Sequence, residues 1–264
     1  MPSLFCVNTS WSVGFCQSEA VMSRELERQL IDELSMFGIS LGDDQARLLI
    51  SYLNLVIEKN KTMNLTRITN PAEAVTLHLV DSLLPLACDV CQINHGDSLL
   101  DMGTGAGFPG VPLAVVTGCR ATLVDSVRKK VDAVAEFVSE LGISDVVTQH
   151  ARLEHLAQTI PYSQDYVIAR AVAQTNVLIE YATPFLKKSG LLVIEKGRPD
   201  ETEISEADAA ASICGVKLVS RETFELPRSL GHREILIYKK VARSKITLPR
   251  KIGMARNKPL GVRQ

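Results

Sequence analysis

Residues 98–110 read Ser98-Leu-Leu-Asp101-Met-Gly103-Thr-Gly105-Ala-Gly107-Phe-Pro-Gly110, a short apolar strand that runs straight into a glycine-rich turn. Glycine at 103, 105 and 107 strips the tip of that turn of Cβ atoms. Such a turn tolerates positive φ and lets a ligand come close to the backbone. The next apolar run, Ala121-Thr-Leu-Val-Asp125, ends in an acid 22 residues after Gly103. A carboxylate at that place can accept hydrogen bonds from both hydroxyls of a ribose. Strand, glycine turn and distal acid together point to a site for an adenosine-containing cofactor.

The spacing narrows the cofactor. A dinucleotide fingerprint, G-x-G-x-x-G/A, needs a small residue three places after its second glycine. Here that place holds Phe108, whose ring would obstruct helix–strand packing. The pattern is instead acid-x-G-x-G-x-G, with Asp101 two residues before the first glycine. This is the loop type of S-adenosylmethionine-dependent methyltransferases, where no pyrophosphate is cradled and an acid can face the methionine ammonium. A tight glycine turn without a ligand is the competing reading.

Composition sets the wider frame. A chain of 264 residues, 46% hydrophobic and 22% charged, suits one large globular domain with a small appendage. No apolar run reaches the roughly 18 residues of a membrane span, so no membrane partner is expected. Met1–Ala20 contain no Lys or Arg and lack the basic start of a signal peptide; residues 1–22 are expected to be a disordered extension. Six cysteines are scattered, and Cys88-Asp-Val-Cys91 has no second pair at zinc spacing. No metal is expected, and the thiols suit a reducing cytoplasm. The net charge of −1 hides an asymmetry. Of 29 Lys and Arg, nine lie in residues 239–264, which hold no acid, while the other 20 share the remainder with 30 acids. A basic tail on an acidic body can grip a phosphate backbone; a solvated tail that aids solubility is the alternative.

Along the chain, helical stripes are expected over Ser23–Phe37, Asp43–Lys59 and Pro71–Val90, the last capped by Asn70. This places an N-terminal helical segment at 23–97. From Leu99 strands and helices alternate, with strands at 98–102, 121–125, 146–150, 165–169 and 190–196. Alternation of this kind builds a parallel sheet covered on both faces. Two further strands, 216–222 and 233–239, read as an antiparallel hairpin that closes the sheet. The fold class is therefore α/β: a Rossmann-like class I methyltransferase core at 98–240, with a seven-stranded, mostly parallel sheet, an N-terminal helical cap and a basic tail at 241–264. After the second strand, Ser126 reads as a helix cap, and Val127, Val131, Val134 and Val138 as the buried stripe behind it. Arg128, Lys129 and Lys130 then fall in a first turn where the helix dipole disfavours cations. That suggests either a use beyond folding or simple solvation.

Ligands in such sheets bind at the carboxyl ends of the strands. Three of those ends are cationic, Arg152, Arg170 and Lys196, more than a small molecule needs and suited to RNA phosphates. The segments Asn60-Lys-Thr-Met-Asn64-Leu-Thr66, His78-Leu-Val-Asp81-Ser82, Asp101–Gly110, Asp125-Ser-Val-Arg128-Lys129-Lys130, Arg170-Ala171, Glu195-Lys196-Gly197 and His232-Arg233 recur in order and spacing. Through them the chain resembles the small-subunit rRNA methyltransferase G family, also called glucose-inhibited division protein B, over roughly Glu25 to Lys239. Pro249–Leu260 is similar to the basic C-terminal segment of part of that family. Ala106 stands where the family often has proline.

The resemblance implies methylation of N7 of one guanosine in 16S rRNA, with S-adenosyl-L-methionine as cofactor and 16S rRNA or the small ribosomal subunit as partner. It places the cofactor on Asp101, Gly103, Thr104, Gly105, Gly107, Phe108, Asp125, Leu153, Glu154 and Arg170. Arg170, Lys196 and Arg233 become the candidate catalytic residues, to hold guanine O6 or phosphates. Arg128, Lys129, Lys196, Arg233, Arg250 and Lys251 become the RNA-binding set. A monomer is expected. Arg170 could instead form an ion pair at a sheet edge, and His78 reads equally as a core histidine or a site residue. Methylation of a protein or small molecule, and RNA binding without turnover, are the other functional readings.

Overall fold

The computed structural model describes residues 10–170 and 172–262, with side-chain environments from Val21 onward. Residues 1–9 of the expected extension lie outside the described residues. Helix α1 spans Ser10–Ser35 and α2 Asp43–Met63. Leu26, Leu30 and Leu34 of α1 and Leu49, Tyr52, Leu53 and Val56 of α2 form the buried stripes that their spacing predicts. A third helical stretch follows: α3 (Pro71–Ala74), a widened turn at Val75–Val80, α4 (Asp81–Leu83) and a tight turn at Leu84–Ala87. It starts as expected, because the Asn70 side chain accepts the Glu73 N–H at 3.0 Å and Pro71 has no N–H to leave unpaired.

The strands are β1 (Ser98–Met102), β2 (Arg120–Asp125), β3 (Val146–His150), β4 (Gln164–Arg170), β5 (Leu186–Lys196), β6 (Val216–Glu225) and β7 (His232–Lys240). They form one sheet in the order β3-β2-β1-β4-β5-β7-β6, with β7 antiparallel to both neighbours. Alternate residues feed two cores. Leu99, Ile168 and Val193 face the N-terminal helices together with α5 (Gly110–Thr117) and α6 (Arg128–Glu140). Leu100, Val167 and Leu192 face α7 (Leu153–Thr159), α8 (Thr175–Ala182) and α9 (Glu201–Cys214). Both faces being covered explains why these strands read as continuous apolar runs.

Two local expectations are corrected. Helix α6 begins at Arg128 with Val127 as its cap residue, and Ser126 makes no cap bond. The Asp125 carboxylate takes that place, accepting the Val127 N–H at 2.8 Å. Val127 is consequently exposed, so the buried stripe starts at Val131. The tail is the second correction. Instead of a free basic extension it lies along α9 and α8, with Lys245 N donating to Ile213 O at 2.8 Å and Asn176 Nδ2 to Leu260 O at 3.0 Å. It carries a last short helix, α10 (Met254–Asn257). Apolar tail residues drive this docking: Ala255 is buried, and Leu248 and Leu260 pack on the second core.

Candidate active site at the carboxyl ends of the strands

The glycine loop is clamped from three sides. Gly103 N and Thr104 N donate to Val124 O at 2.8 and 3.0 Å, tying the loop to β2. Asp125, at the end of β2, accepts Gly105 N at 3.1 Å, while Asp101 accepts Gly110 N at 3.0 Å. From α2, the Tyr52 hydroxyl donates to Ala106 O at 2.9 Å. Gly107 must be glycine: its φ is +88°, and a Cβ there would lie 2.0 Å from the Tyr52 hydroxyl oxygen. A Cβ on Gly105 would meet nothing within 4 Å, so the loop is open on that side.

Beside the loop lies a cavity of about 260 Å³, which Gly103 lines. It brings together Gly103, Asp125, Leu153, Glu154 and Arg170 of the expected cofactor set, joined by Arg256 from the tail. Asp101, Thr104, Gly105, Gly107 and Phe108 are not among its lining. Asp101 is buried, and burial lifts its carboxyl to about 6 against the opposing pull of the Thr104 hydroxyl, the Gly110 N–H and the Arg170 charge. Asp101 Oδ1 and Thr104 Oγ1 are both buried, neighbour each other, and meet the geometry of a hydrogen bond with no group among the described residues. Phe108 instead faces the helical cap, stacked on His78 with centroids 4.7 Å apart and meeting Tyr52 edge-on at 5.7 Å. His78 is thereby a buried structural ring: its Nε2 lies 2.8 Å from Thr66 Oγ1, and burial and Arg170 lower its pKa to about 3.

Two of the three candidate catalytic residues meet. Asp81 of α4 lies between Arg233 of β7, with Nε at 2.8 Å, and Arg170 of β4, with Nη1 at 3.5 Å. Arg170 also reaches Leu77 O and His78 O at 3.4 Å, lies over the Phe108 ring at 5.7 Å and approaches Glu195 at 3.9 Å. Burial holds the Glu195 carboxyl well above the ordinary range despite that neighbour, and neither of its oxygens has a hydrogen-bond partner. Lys196 points the other way, toward α9, donating to Glu203 at 2.7 Å and Ala173 O at 3.1 Å. Arg128, Lys129 and Arg152 are exposed around the rim. Lys251 is exposed on the tail.

Arg250 departs from the expected RNA-facing role. Its guanidinium makes a bidentate pair with the buried carboxylate of Glu180, Nε to Oε1 at 2.7 Å, and donates to Lys258 O at 2.8 Å. It pins the tail to α8. The Cys88 and Cys91 thiols are buried and pushed upward by that burial, Cys88 to about 12.

Sequence reading missed Tyr52 and Asp81, and missed Tyr181 and Arg256, which line the cavity. Asp81 had a signal, an acid inside the His78–Ser82 segment with two arginines downstream and no local partner. Tyr52 and Arg256 had none, since their partners lie far along the chain.

Residues 45–233 match the family model described as rRNA small subunit methyltransferase G. Among curated relatives, the ribosomal RNA small subunit methyltransferase G of Alkaliphilus metalliredigens is 36% identical over 235 residues, 88% of this chain and 97% of the relative. Its namesake in Staphylococcus epidermidis is 37% identical over 233 residues, covering 88% and 97%. The crystal structure of a point mutant of MtNAS superposes with a TM-score of 0.51 at 14% identity, over 83% of this chain and 87% of that one. That similarity reaches the fold and no further.

Proposed function

The chain belongs to the rRNA small subunit methyltransferase G family and is an S-adenosylmethionine-dependent rRNA methyltransferase; we propose that it transfers a methyl group to N7 of one guanosine in 16S rRNA, with the cavity between Asp125 and Arg170 as cofactor site. The observation that carries this reading is that single cavity at the strand ends. It joins a ribose-type acid and the glycine loop to an arginine facing the helical cap.

The residues fit the cofactor. Asp125 would accept the ribose hydroxyls, and the Leu153–Glu154 corner would take the adenine. Gly103 and Gly105 would let the methionine half approach the backbone, with the unpartnered Asp101 Oδ1 available to its ammonium. When bound, S-adenosylmethionine supplies an electrophilic methyl group on a sulfonium.

Guanine N7 has a free lone pair and no proton, so the protein needs no general base. The carboxylates agree with this. Asp81 is held between two arginines, and Glu195 is buried beside Arg170. What remains for the protein is orientation, exclusion of water and charge management. Arg170 and Arg233, held by Asp81, are proposed to position the guanine through O6 or its phosphates, leaving N7 free. Lys196, though paired with Glu203, stands at the same rim and is proposed to join them. Arg128, Lys129 and Lys251 would bind flanking phosphates.

No described helix is long and apolar enough to cross a membrane. The reading extends to a cytoplasmic monomer, since one chain carries the glycine loop, the ribose acid and the rim cations. The test is mass-spectrometric mapping of 16S rRNA from cells with and without the gene. One 7-methylguanosine should disappear, returning with the wild-type chain but not with Asp125→Ala. An unchanged modification map overturns the reading in favour of a protein or small-molecule acceptor, or of RNA binding without turnover.

A further inference from the structure

The tail does more than dock. Val241 N and Ala242 N both donate to Gly215 O at 3.0 Å, Ser244 Oγ donates to Cys214 O at 2.9 Å, and Arg250 grips Glu180. These contacts carry the chain from the far end of β7 across α9 and α8 to the mouth of the cofactor cavity. There Gly253, at φ +78°, turns its N–H onto Glu154 Oε1 at 2.9 Å. One turn later Arg256 lines the same cavity as Asp125, Leu153 and Glu154, beside Tyr181 of α8.

We infer that this C-terminal strap is a component of the cofactor site: Gly253 orients the Glu154 carboxylate, and Arg256 forms the wall that meets the nucleoside half of S-adenosylmethionine. The inference rests on the cofactor site proposed above. Three features argue for it over an RNA contact. Arg256 shares its cavity with the ribose acid and the adenine corner, as do Lys130 and Arg152, whereas the RNA-facing candidates Arg128, Lys129 and Lys251 lie outside that lining. Glu154 has one oxygen taken by the strap, so the strap determines where the other points. A planar guanidinium stacks readily on an aromatic face and is weakly hydrated, properties suited to an adenine wall lined by Asp125 and Glu154. Gly253 is a positioning residue, acting through Glu154; Arg256 is a binding residue.

The test is calorimetric titration of the full chain and Arg256→Ala with S-adenosylhomocysteine, with adenosine and with a 16S rRNA fragment. Arg256→Ala should weaken both nucleosides by about 3- to 30-fold, the scale of a cation–π contact, and leave RNA affinity unchanged. Unchanged nucleoside affinity, or a loss confined to RNA, overturns the inference. A loss for S-adenosylhomocysteine but not for adenosine overturns the nucleoside assignment, placing Arg256 at the methionine carboxylate. Asp125→Ala separates this from the underlying reading. If it too retains nucleoside affinity, the proposed cofactor site itself is wrong. A second measurement needs no variant: hydrogen exchange of wild-type residues 249–257 should slow when S-adenosylhomocysteine is added. Unaltered exchange there refutes a strap that contacts the cofactor side.

Discussion

Substituting Gly107→Ala should damage the enzyme through a tyrosine from another part of the chain. The new Cβ would sit 2.0 Å from the Tyr52 hydroxyl oxygen, and 3.0 Å from Tyr52 Cζ and from Val111 Cγ2. Tyr52 is fully buried and its hydroxyl is bonded to Ala106 O at 2.9 Å, so it can yield only by leaving that carbonyl. A non-glycine residue at φ near +88° costs about 1–2 kcal/mol. Displacing a packed ring costs a further ~1–3 kcal/mol. Losing the buried hydrogen bond adds about 1–2 kcal/mol. The single variant should therefore be destabilised by roughly 3–7 kcal/mol. Tyr52→Phe alone should cost about 1–2 kcal/mol, because Ala106 O is left unpaired. The phenylalanine also removes the atom with which the new Cβ collides. The double variant should thus be less destabilised than the sum of the two by about 1–3 kcal/mol. Urea unfolding of the four proteins gives that coupling directly. Additivity within about 0.5 kcal/mol would show that Tyr52 does not clamp the loop.

Further consequences follow from the buried charges and thiols. The Asp101 carboxyl is raised from 3.8 to about 6, so the folded chain keeps a proton there that the unfolded chain releases. Stability should therefore fall as pH rises from about 4 to 6, with Asp101 contributing on the order of 3 kcal/mol. Asp101→Asn should remove that part of the slope in urea titrations, and identical slopes for both proteins would contradict it. Asp81→Ala strips the shared partner from Arg170 and Arg233 and should cost about 3–5 kcal/mol; a loss under about 1 kcal/mol would mean the arginines find other partners. Cys88 and Cys91 should resist alkylation in the native protein and react after denaturation, as peptide mass mapping would read. Rapid labelling of either native thiol would contradict their burial.

Much of the architecture was legible in local spacing. The existence and order of the seven strands, the Asn70 cap and the Asp101–Asp125 unit depend on residues close in sequence, whose backbone geometry limits them to few arrangements. Even so, β5 starts four residues earlier and β6 ends three residues later than the spacing predicts. Ser126 misled because the helix starts one residue later than a Ser126 cap requires, with the Asp125 carboxylate accepting the N–H of the cap residue Val127. The tail misled for a different reason. The seven cations of residues 241–264 suggested a phosphate-gripping or solvated tail, whereas its scattered Leu248, Ala255 and Leu260 show no periodicity and yet dock it.

By itself, the sequence determined that a doubly covered parallel sheet presents a glycine loop and a ribose-type acid at one edge. It did so because β–α alternation and a loop–acid spacing are short-range constraints. Tertiary structure alone decided how charges and clamps pair across that edge: Asp81 with Arg170 and Arg233, Tyr52 with the loop, Glu180 with Arg250, and Gly253 with Glu154. These partners lie 54 to 152 residues apart. Which cation meets which acid is set by where packed helices carry them, and no local pattern encodes it.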